Sequence, residues 1–348
     1  MQETIIISIV SGKGGTGKTL LSAVLAEMLG NQNISTLVVD LDIFVRGLTS
    51  LLYYHKQEAL QLTEADEISV ADFFINKDTA NSNKTNKKKL GISRYRSFDV
   101  LPAVSTIDQS LHFQDFSPDN RKEAEKILKQ IFDRIPKSYQ IVILDCRAGY
   151  DELIAAIHSI SNITIAVEED DPIARITAEN LVRQLQEDSM TPLFRIVNKA
   201  RGIVSETDLD RHIRGVSDLG SIPFDIDVMN SFGEATFWDD ISKTLYRVAL
   251  ARAWNRLNQR MKLGYELKTS RFSPVSSEVL ESRIGFLSSS NRVLFIYGIF
   301  IALVGFSIVL IGFDRLTHLT LIEGLSLSMG FAGIVLTFYA VTRSRKKS

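Results

Sequence analysis

Cysteine is almost missing from this sequence: Cys146 is the one thiol in 348 residues. A disulfide framework within the chain is thereby excluded, and a reducing compartment poses no difficulty. Net charge is also nearly missing. The 40 basic and 41 acidic side chains leave a formal charge of −1, so no global field draws polyanions and direct nucleic-acid binding is not indicated. The opening residues Met1-Gln2-Glu3 carry no basic stretch and lead straight into an apolar run, so no signal peptide is expected. Apolar sequence is plentiful. Mean hydropathy is +0.06 although 23 % of residues are charged, and the excess sits at the C-terminal end.

The most informative stretch is Ser11-Gly12-Lys13-Gly14-Gly15-Thr16-Gly17-Lys18-Thr19. It fits the Walker A pattern of a Gly, four residues, then Gly-Lys-Thr. Without a Cβ, Gly12, Gly14, Gly15 and Gly17 let successive backbone N–H groups turn inward and cradle a polyphosphate, with Thr16 and Leu20 in the same run. Lys18 supplies a point charge to β- and γ-phosphates, and the Thr19 hydroxyl suits Mg²⁺. The β-branched run Thr4–Val10 predicts a buried parallel strand before the loop. Leu20, Leu21, Val24, Leu25, Met28 and Leu29 predict a helix after it, whose N-terminus favours anions.

Further strands are predicted at Thr36–Val39, Phe98–Leu101, Ile141–Leu144, Ile163–Val167, Leu193–Val197 and Asp218–Ile222. Helical spacing recurs near Leu48–Tyr54 and Val70–Ile75. Ser117-Pro118 reads as the start of a helix with a buried stripe of Ile127, Leu128, Ile131, Phe132 and Ile135. Asp171-Pro172 caps another helix, with Ile173, Ile176, Leu181 and Leu185 as its apolar face. A long helix is expected over Asp239–Lys262. The fold class is therefore α/β, a doubly wound, mostly parallel sheet. In such folds ligands bind beyond the carboxyl ends of strands, which places Asp40 and Asp42 in the same crevice as the loop. Two acids there could instead cap the next helix. Asp145 ends an apolar Walker B-like strand and is the candidate to hold Mg²⁺ from behind its direct ligands. The Lys- and Asn-rich segment 77–97 reads as a solvated insertion or as a basic loop touching lipid or a partner.

The form Lys-Gly-Gly-Thr-Gly-Lys-Thr, with Lys13 inside the loop, resembles the deviant Walker A of the MinD/ParA family. The resemblance runs from Ile5 to about Leu263 and implies ATP with Mg²⁺ and a face-to-face homodimer. It implies that Lys13 reaches the partner's nucleotide, that Asp40 lies near the metal, and that Asp42 orients the attacking water. It carries adenine recognition to Asn198, in Asn198-Lys199, and places the loop after Pro223, in Ile222-Pro223-Phe224-Asp225, beside the base. In the switch II segment Asp145-Cys146-Arg147-Ala148-Gly149, Arg147 stands where the family usually has proline. Gly149 remains to offer its N–H to a γ-phosphate, and Arg147 is either a phosphate sensor or part of a surface ion pair. One cysteine per chain cannot supply the four thiolates of a cluster shared across a dimer, so the iron–sulfur branch of the wider group is excluded.

After a serine-rich linker, 264–291, come charge-free runs Val293–Phe313 and Gly324–Thr342, each long enough to cross a bilayer. The chain ends in Arg343-Ser344-Arg345-Lys346-Lys347-Ser348. The positive-inside preference keeps this tail cytoplasmic. The expected organisation is an ATPase domain over 1–263, the linker, and a two-pass hairpin over 292–348 in the inner membrane of a prokaryote, with an unidentified protein partner. A buried hairpin in a soluble protein is the other reading. A bacterial tyrosine kinase fits less well, because the tail has no tyrosine cluster and the order of segments is reversed. A non-hydrolysing, nucleotide-bound scaffold is the third possibility.

Overall fold

β-Branched and apolar residues crowd the strands of the central sheet, and its middle strands are buried on both faces, as parallel strands covered by helices must be. The structure, a computed structural model, describes residues 3–75, 88–109, 118, 120–200, 215–234, 236–242 and 244–268. The chain opens with β1 (Ile5–Ser11), α1 (Lys18–Gly30), β2 (Thr36–Asp40), α2 (Gly47–His55), β3 (Glu67–Ile68) and α3 (Val70–Ile75). It continues with β4 (Lys89–Leu90), β5 (Ser93–Tyr95), β6 (Phe98–Leu101), α4 (Arg121–Phe132), β7 (Ile141–Ala148) and α5 (Glu152–Ile160). It ends with β8 (Ile163–Glu169), α6 (Pro172–Asp188), β9 (Leu193–Ala200), β10 (Ser217–Pro223), α7 (Ile226–Ser231), α8 (Phe237–Ile241) and α9 (Leu245–Met261).

Among the described residues the main sheet runs β10-β9-β8-β1-β7-β2-β6-β5. Every pairing is parallel except that of β5 with β6. The order reverses around β1, which is the switch point where a doubly wound sheet opens a crevice at its carboxyl edge. One apolar core lies between the sheet and α1, α2, α8 and α9; the other lies under α3, α4, α5 and α6. Register matters at two places. Asp40 stands beside Asp145, and an irregularity between Ile9 and Ser11 brings Ser11 opposite Ala148 at the mouth of the loop.

Several local expectations need correction. Asn120, not the Ser117-Pro118 pair, caps α4, its side chain accepting from the Glu123 amide, and Ser117 lies outside the described residues. Ile135 is buried but falls beyond the end of α4. In α6, Ile173 and Ile176 are exposed, and Ala174, Ala178, Leu181, Val182 and Leu185 make the buried face. The reason is close packing: a Cβ on Gly12 would overlap the Thr177 carbonyl, so the phosphate loop leans on the small-residue side of α6. The expected long helix is two, α8 and α9. Thr244 breaks it by taking an extended conformation and capping α9 through the Arg247 amide.

Part of the basic segment is ordered: Lys89–Leu90 and Ser93–Tyr95 are strands, and Arg94 pairs with Asp99 at 3.1 Å. Residues 76–87 lie outside the described residues, as do nearly all of the expected linker and the whole of 292–348. Among the described residues no helix is long and apolar enough to cross a membrane.

Candidate functional site

The loop joins the end of β1 to the start of α1. Gly15 and Gly17 take φ values of 79° and 90°, conformations that favour glycine. A Cβ on Gly17 would overlap the Asn198 carboxamide, whereas Gly14 and Gly15 border open space on the loop's outer side. The first N–H bonded back to the loop is that of Leu21, which reaches the Gly17 carbonyl at 3.0 Å. The amides of Lys18, Thr19 and Leu20 therefore form the anion-accepting end of α1. The Leu20 side chain is in the core, so only its backbone amide can serve a ligand.

Lys18 is buried and its ammonium donates to Ser11 Oγ at 2.7 Å. Burial lowers its pKa against the opposing pull of Asp145 and Asp42. Asp145 is fully buried, with Ser22 Oγ at 3.2 Å. Burial raises its pKa, while Thr19, Lys18 and Ser22 favour its charged form. Asp40, also fully buried, accepts from the Thr49 amide at 2.8 Å and the Thr49 hydroxyl at 2.7 Å. Burial first, and the Asp145 charge second, raise its pKa. So Asp40 both receives the start of α2, as the capping alternative required, and lies next to Asp145.

Asp42 is half-buried; its amide donates to Asp40 at 3.1 Å and its carboxylate accepts from the Val45 amide at 3.2 Å. Asp145 and Asp42 thus act on the Lys18 ammonium and Asp40 stands beside both, an excess of negative charge that suits a divalent cation. Among the described residues, no three His, Cys, Asp or Glu side chains are arranged to hold a metal by themselves. A hard cation here would draw on the Thr19 hydroxyl, phosphate oxygens and water, which is how Mg²⁺ is commonly held. Thr16 Oγ1, Asp145 Oδ2 and Asn198 Oδ1 are buried without a hydrogen-bond partner in the protein. Unsatisfied polar atoms gathered around one loop fit a polar ligand.

The remaining predicted residues divide. Gly149, at φ 90°, donates its amide to the Ser11 carbonyl at 2.9 Å, which brings switch II to the loop. Asn198 is buried behind the loop and donates to the Thr16 carbonyl at 2.8 Å. Pro223 ends β10, which stands three strands from β1 in the sheet. Lys13 is turned onto its own chain, 2.7 Å from Asp171 and 3.3 Å from Glu169. The Asp171 pairing raises the Lys13 pKa and lowers that of Asp171. Arg147 pairs with Asp151, the cap of α5, which is the ion-pair reading of that residue.

Other participants had no local signal. Arg46, in the left-handed region at φ 55°, donates to the carbonyls of Ile43, Ile107 and Gln109 and so pins the segment after Asp42. Lys199 donates to the Gly15 carbonyl at 2.7 Å. Its place after Asn198 was the one hint.

A family profile described as AAA domain matches residues 4–191. The chain is 26 % identical over 233 residues to the chloroplastic septum site-determining protein MinD homolog of Arabidopsis thaliana, covering 65 % of this chain and 66 % of that one. It is 27 % identical to the septum site-determining protein MinD of Bacillus subtilis, over 65 % of this chain and 78 % of that one. The fold is similar to that of the septum site-determining protein MinD of Pyrococcus horikoshii solved with Mg-ADP, at a TM-score of 0.53, 20 % identity, and coverage of 77 % of this chain and 100 % of that one.

Proposed function

The chain belongs to the AAA domain family, among its MinD/ParA-type P-loop ATPases, and from that premise we propose that it binds ATP with Mg²⁺ at the Ser11–Thr19 loop and hydrolyses it as a switch at a membrane. The observation that carries this reading is the grouping of Lys18, Thr19, Asp40, Asp42 and Asp145 at a loop where Thr16 Oγ1, Asp145 Oδ2 and Asn198 Oδ1 are buried without partners. The loop amides and Lys18 would bind and neutralise the phosphates. Asp145, behind Thr19, would orient that hydroxyl towards the cation, which itself supplies charge neutralisation at the phosphates when bound. Asp42, whose carboxylate accepts from the Val45 amide, would accept a hydrogen bond from a water in line with the γ-phosphate. Gly149 would offer its amide after releasing the Ser11 carbonyl.

A homodimer through the nucleotide edge is part of the proposal. Val45, Ile173, Ile176, Phe224, Ile226 and Met229 are all exposed. Each lies on a segment that leaves the carboxyl end of β2, β8 or β10. An apolar fringe around a polar site is the composition of an interface with a second copy. Lys13 would leave Asp171 and Glu169 to reach the partner's nucleotide.

Membrane anchorage through 292–348 is the third part. Two charge-free runs of sequence support it. The segment after α9 returns to the amino-terminal pole of the sheet: Tyr265 hydroxyl lies 3.4 Å from the Gln140 carboxamide, just before β7.

The test is phosphate release by the full chain in detergent. Wild type should turn over ATP with Mg²⁺, and Asp42→Ala should bind ATP while turning it over on the order of a hundredfold more slowly. Wild-type turnover by Asp42→Ala would refute the assignment. Nucleotide binding without turnover in the wild type would leave the scaffold reading in its place.

A further inference from the structure

We propose that Arg46 is a positioning residue of the site: its guanidinium fork fixes the turn that carries Asp42 and seats that turn against Thr19. The inference rests on the ATPase reading above. Two local rules are broken at Arg46. It stands at the N-cap of α2, where Ser, Thr, Asp or Asn ordinarily accepts a helix amide, and its side chain makes no such bond. It also sits in the left-handed region at φ 55°, where a long side chain is disfavoured and glycine or asparagine is usual. A residue that suits neither its cap nor its backbone is held by something else, and such conflicts gather at functional sites.

What holds it is the half-buried side chain. Nε donates to the Ile43 carbonyl at 2.9 Å, Nη1 to the Ile107 carbonyl at 2.9 Å and Nη2 to the Gln109 carbonyl at 2.8 Å. The first acceptor is in the turn itself. The other two lie on the segment that leaves β6, the neighbour of β2 in the sheet. That segment is itself tied down: the Ile107 amide donates to the Leu60 carbonyl at 3.0 Å, and the Leu62 amide to the Ser105 carbonyl at 2.8 Å. The guanidinium is therefore a strut between the turn and a fixed wall. A planar fork can serve three carbonyls in set directions, and a lysine ammonium cannot.

The turn so held bears on the site at both ends. At one end the Arg46 amide donates to the Asp42 carbonyl at 2.8 Å, the Asp42 carboxylate accepts from the Val45 amide at 3.2 Å, and the Asp42 amide reaches Asp40 at 3.1 Å. At the other end a Cβ on Gly47 would come within 3.0 Å of the Thr19 side chain, so the turn leans on the hydroxyl offered to the cation. Loosening the fork therefore shifts Asp42 and frees one side of Thr19. It leaves Lys18 and the loop amides, which would hold the phosphates, in place. Binding and turnover should separate. A staple that only held the fold would instead lower stability and both functions together.

The experiment measures ATP affinity, turnover and amide exchange in the full chain in detergent, for Arg46→Lys and Arg46→Gly. Glycine accepts a φ of 55° without strain, so Arg46→Gly should fold while losing the fork. Both variants should bind ATP with Mg²⁺ within about threefold of wild type and turn it over at least about tenfold more slowly, because small misplacements of a reacting group are costly. Added to Asp42→Ala, Arg46→Lys should slow turnover no further, since it acts through that carboxylate. Exchange of the 42–47 amides should quicken by about tenfold in both variants, with the rest of the chain unchanged. Wild-type turnover in Arg46→Lys, or losses that multiply in the double variant, overturn the proposal. Turnover lost only in step with ATP binding or melting temperature also overturns it and leaves Arg46 a support of the fold. A wild type that never turns over ATP defeats the ATPase reading instead, and exchange then decides for the fork. Quickened at 42–47 alone, it keeps Arg46 as the holder of the turn; unchanged there, it removes that role.

Discussion

The two poles of the sheet are finished differently. At the amino-terminal pole, side chains close the strand ends onto the backbone. Thr4 donates to the Tyr139 carbonyl at 2.8 Å, the Gln140 carboxamide accepts from the Ser35 amide at 2.9 Å, and Asn162 accepts from the Ile6 amide at 2.7 Å. At the carboxyl pole the closures are incomplete. Thr16, Asp145 and Asn198 each keep a buried polar atom unpaired, and buried acids stand side by side. Leaving buried polar groups unsatisfied costs about 1–3 kcal/mol each. One pole is built to hold the fold, and the other tolerates destabilising features that a bound ligand would relieve.

The largest effect that could break this contrast is expected at Gly12. A Cβ there would overlap the Thr177 backbone, so Gly12→Ala must push the loop off α6. Nucleotide binding should be lost, and stability should fall by about 1–3 kcal/mol, the usual cost of overpacking, read by denaturant unfolding. Retained binding would show that the loop's seat on α6 does not shape the site. Asn198→Ala should act less strongly. It leaves the Thr16 carbonyl without its donor and removes the group proposed to read adenine, so the preference for ATP over GTP should narrow by roughly tenfold. Equal affinities in the wild type would remove adenine reading from Asn198 and leave it a support for the loop.

At the closed pole, Gln140→Ala should lower stability by about 1 kcal/mol through the orphaned Ser35 amide, with turnover unchanged. A loss of turnover there would mean that the poles are not separable. The smallest effect concerns His158, buried between α5 and the sheet with Thr164 Oγ1 at 2.8 Å. Burial lowers its pKa, with Asp188 opposing and Arg121 assisting. The unfolded chain takes up a proton below the ordinary histidine value while the folded chain does not. Stability is therefore full above about pH 6.5 and declines as pH falls below it. His158→Gln should flatten that decline in melting curves taken across this window.

Much of this contrast was legible in the sequence because it is local. The glycine spacing, the apolar run before it and the periodic helix after it are contiguous, and so are Asp40 and Asp145 at the ends of their strands. What stayed hidden depends on contacts between distant segments. Arg46 reaches the carbonyls of Ile107 and Gln109, and Lys13 reaches Asp171. No period in the sequence announces either. Ile173 and Ile176 misled because isoleucine at helical spacing ordinarily marks a core face. Here the loop's close approach selects Ala174 and Ala178 for the inside, and the isoleucines face solvent. The break before α9 was hidden because a single threonine costs a helix interior only tenths of a kcal/mol, so Thr244 did not announce a cap within a helical period.

The central claim is that the carboxyl pole awaits Mg²⁺ and ATP, and titrating both into the full chain while following its thermal unfolding tests it most directly. Ligand that binds the folded state raises its stability by about 2.7 kcal/mol at a hundred times the dissociation constant. The account predicts a saturable rise in the wild type that needs Mg²⁺ and disappears in Lys18→Ala, a variant that should still fold. A wild type whose unfolding ignores Mg²⁺ and ATP, or a Lys18→Ala protein stabilised as much as the wild type, would contradict it.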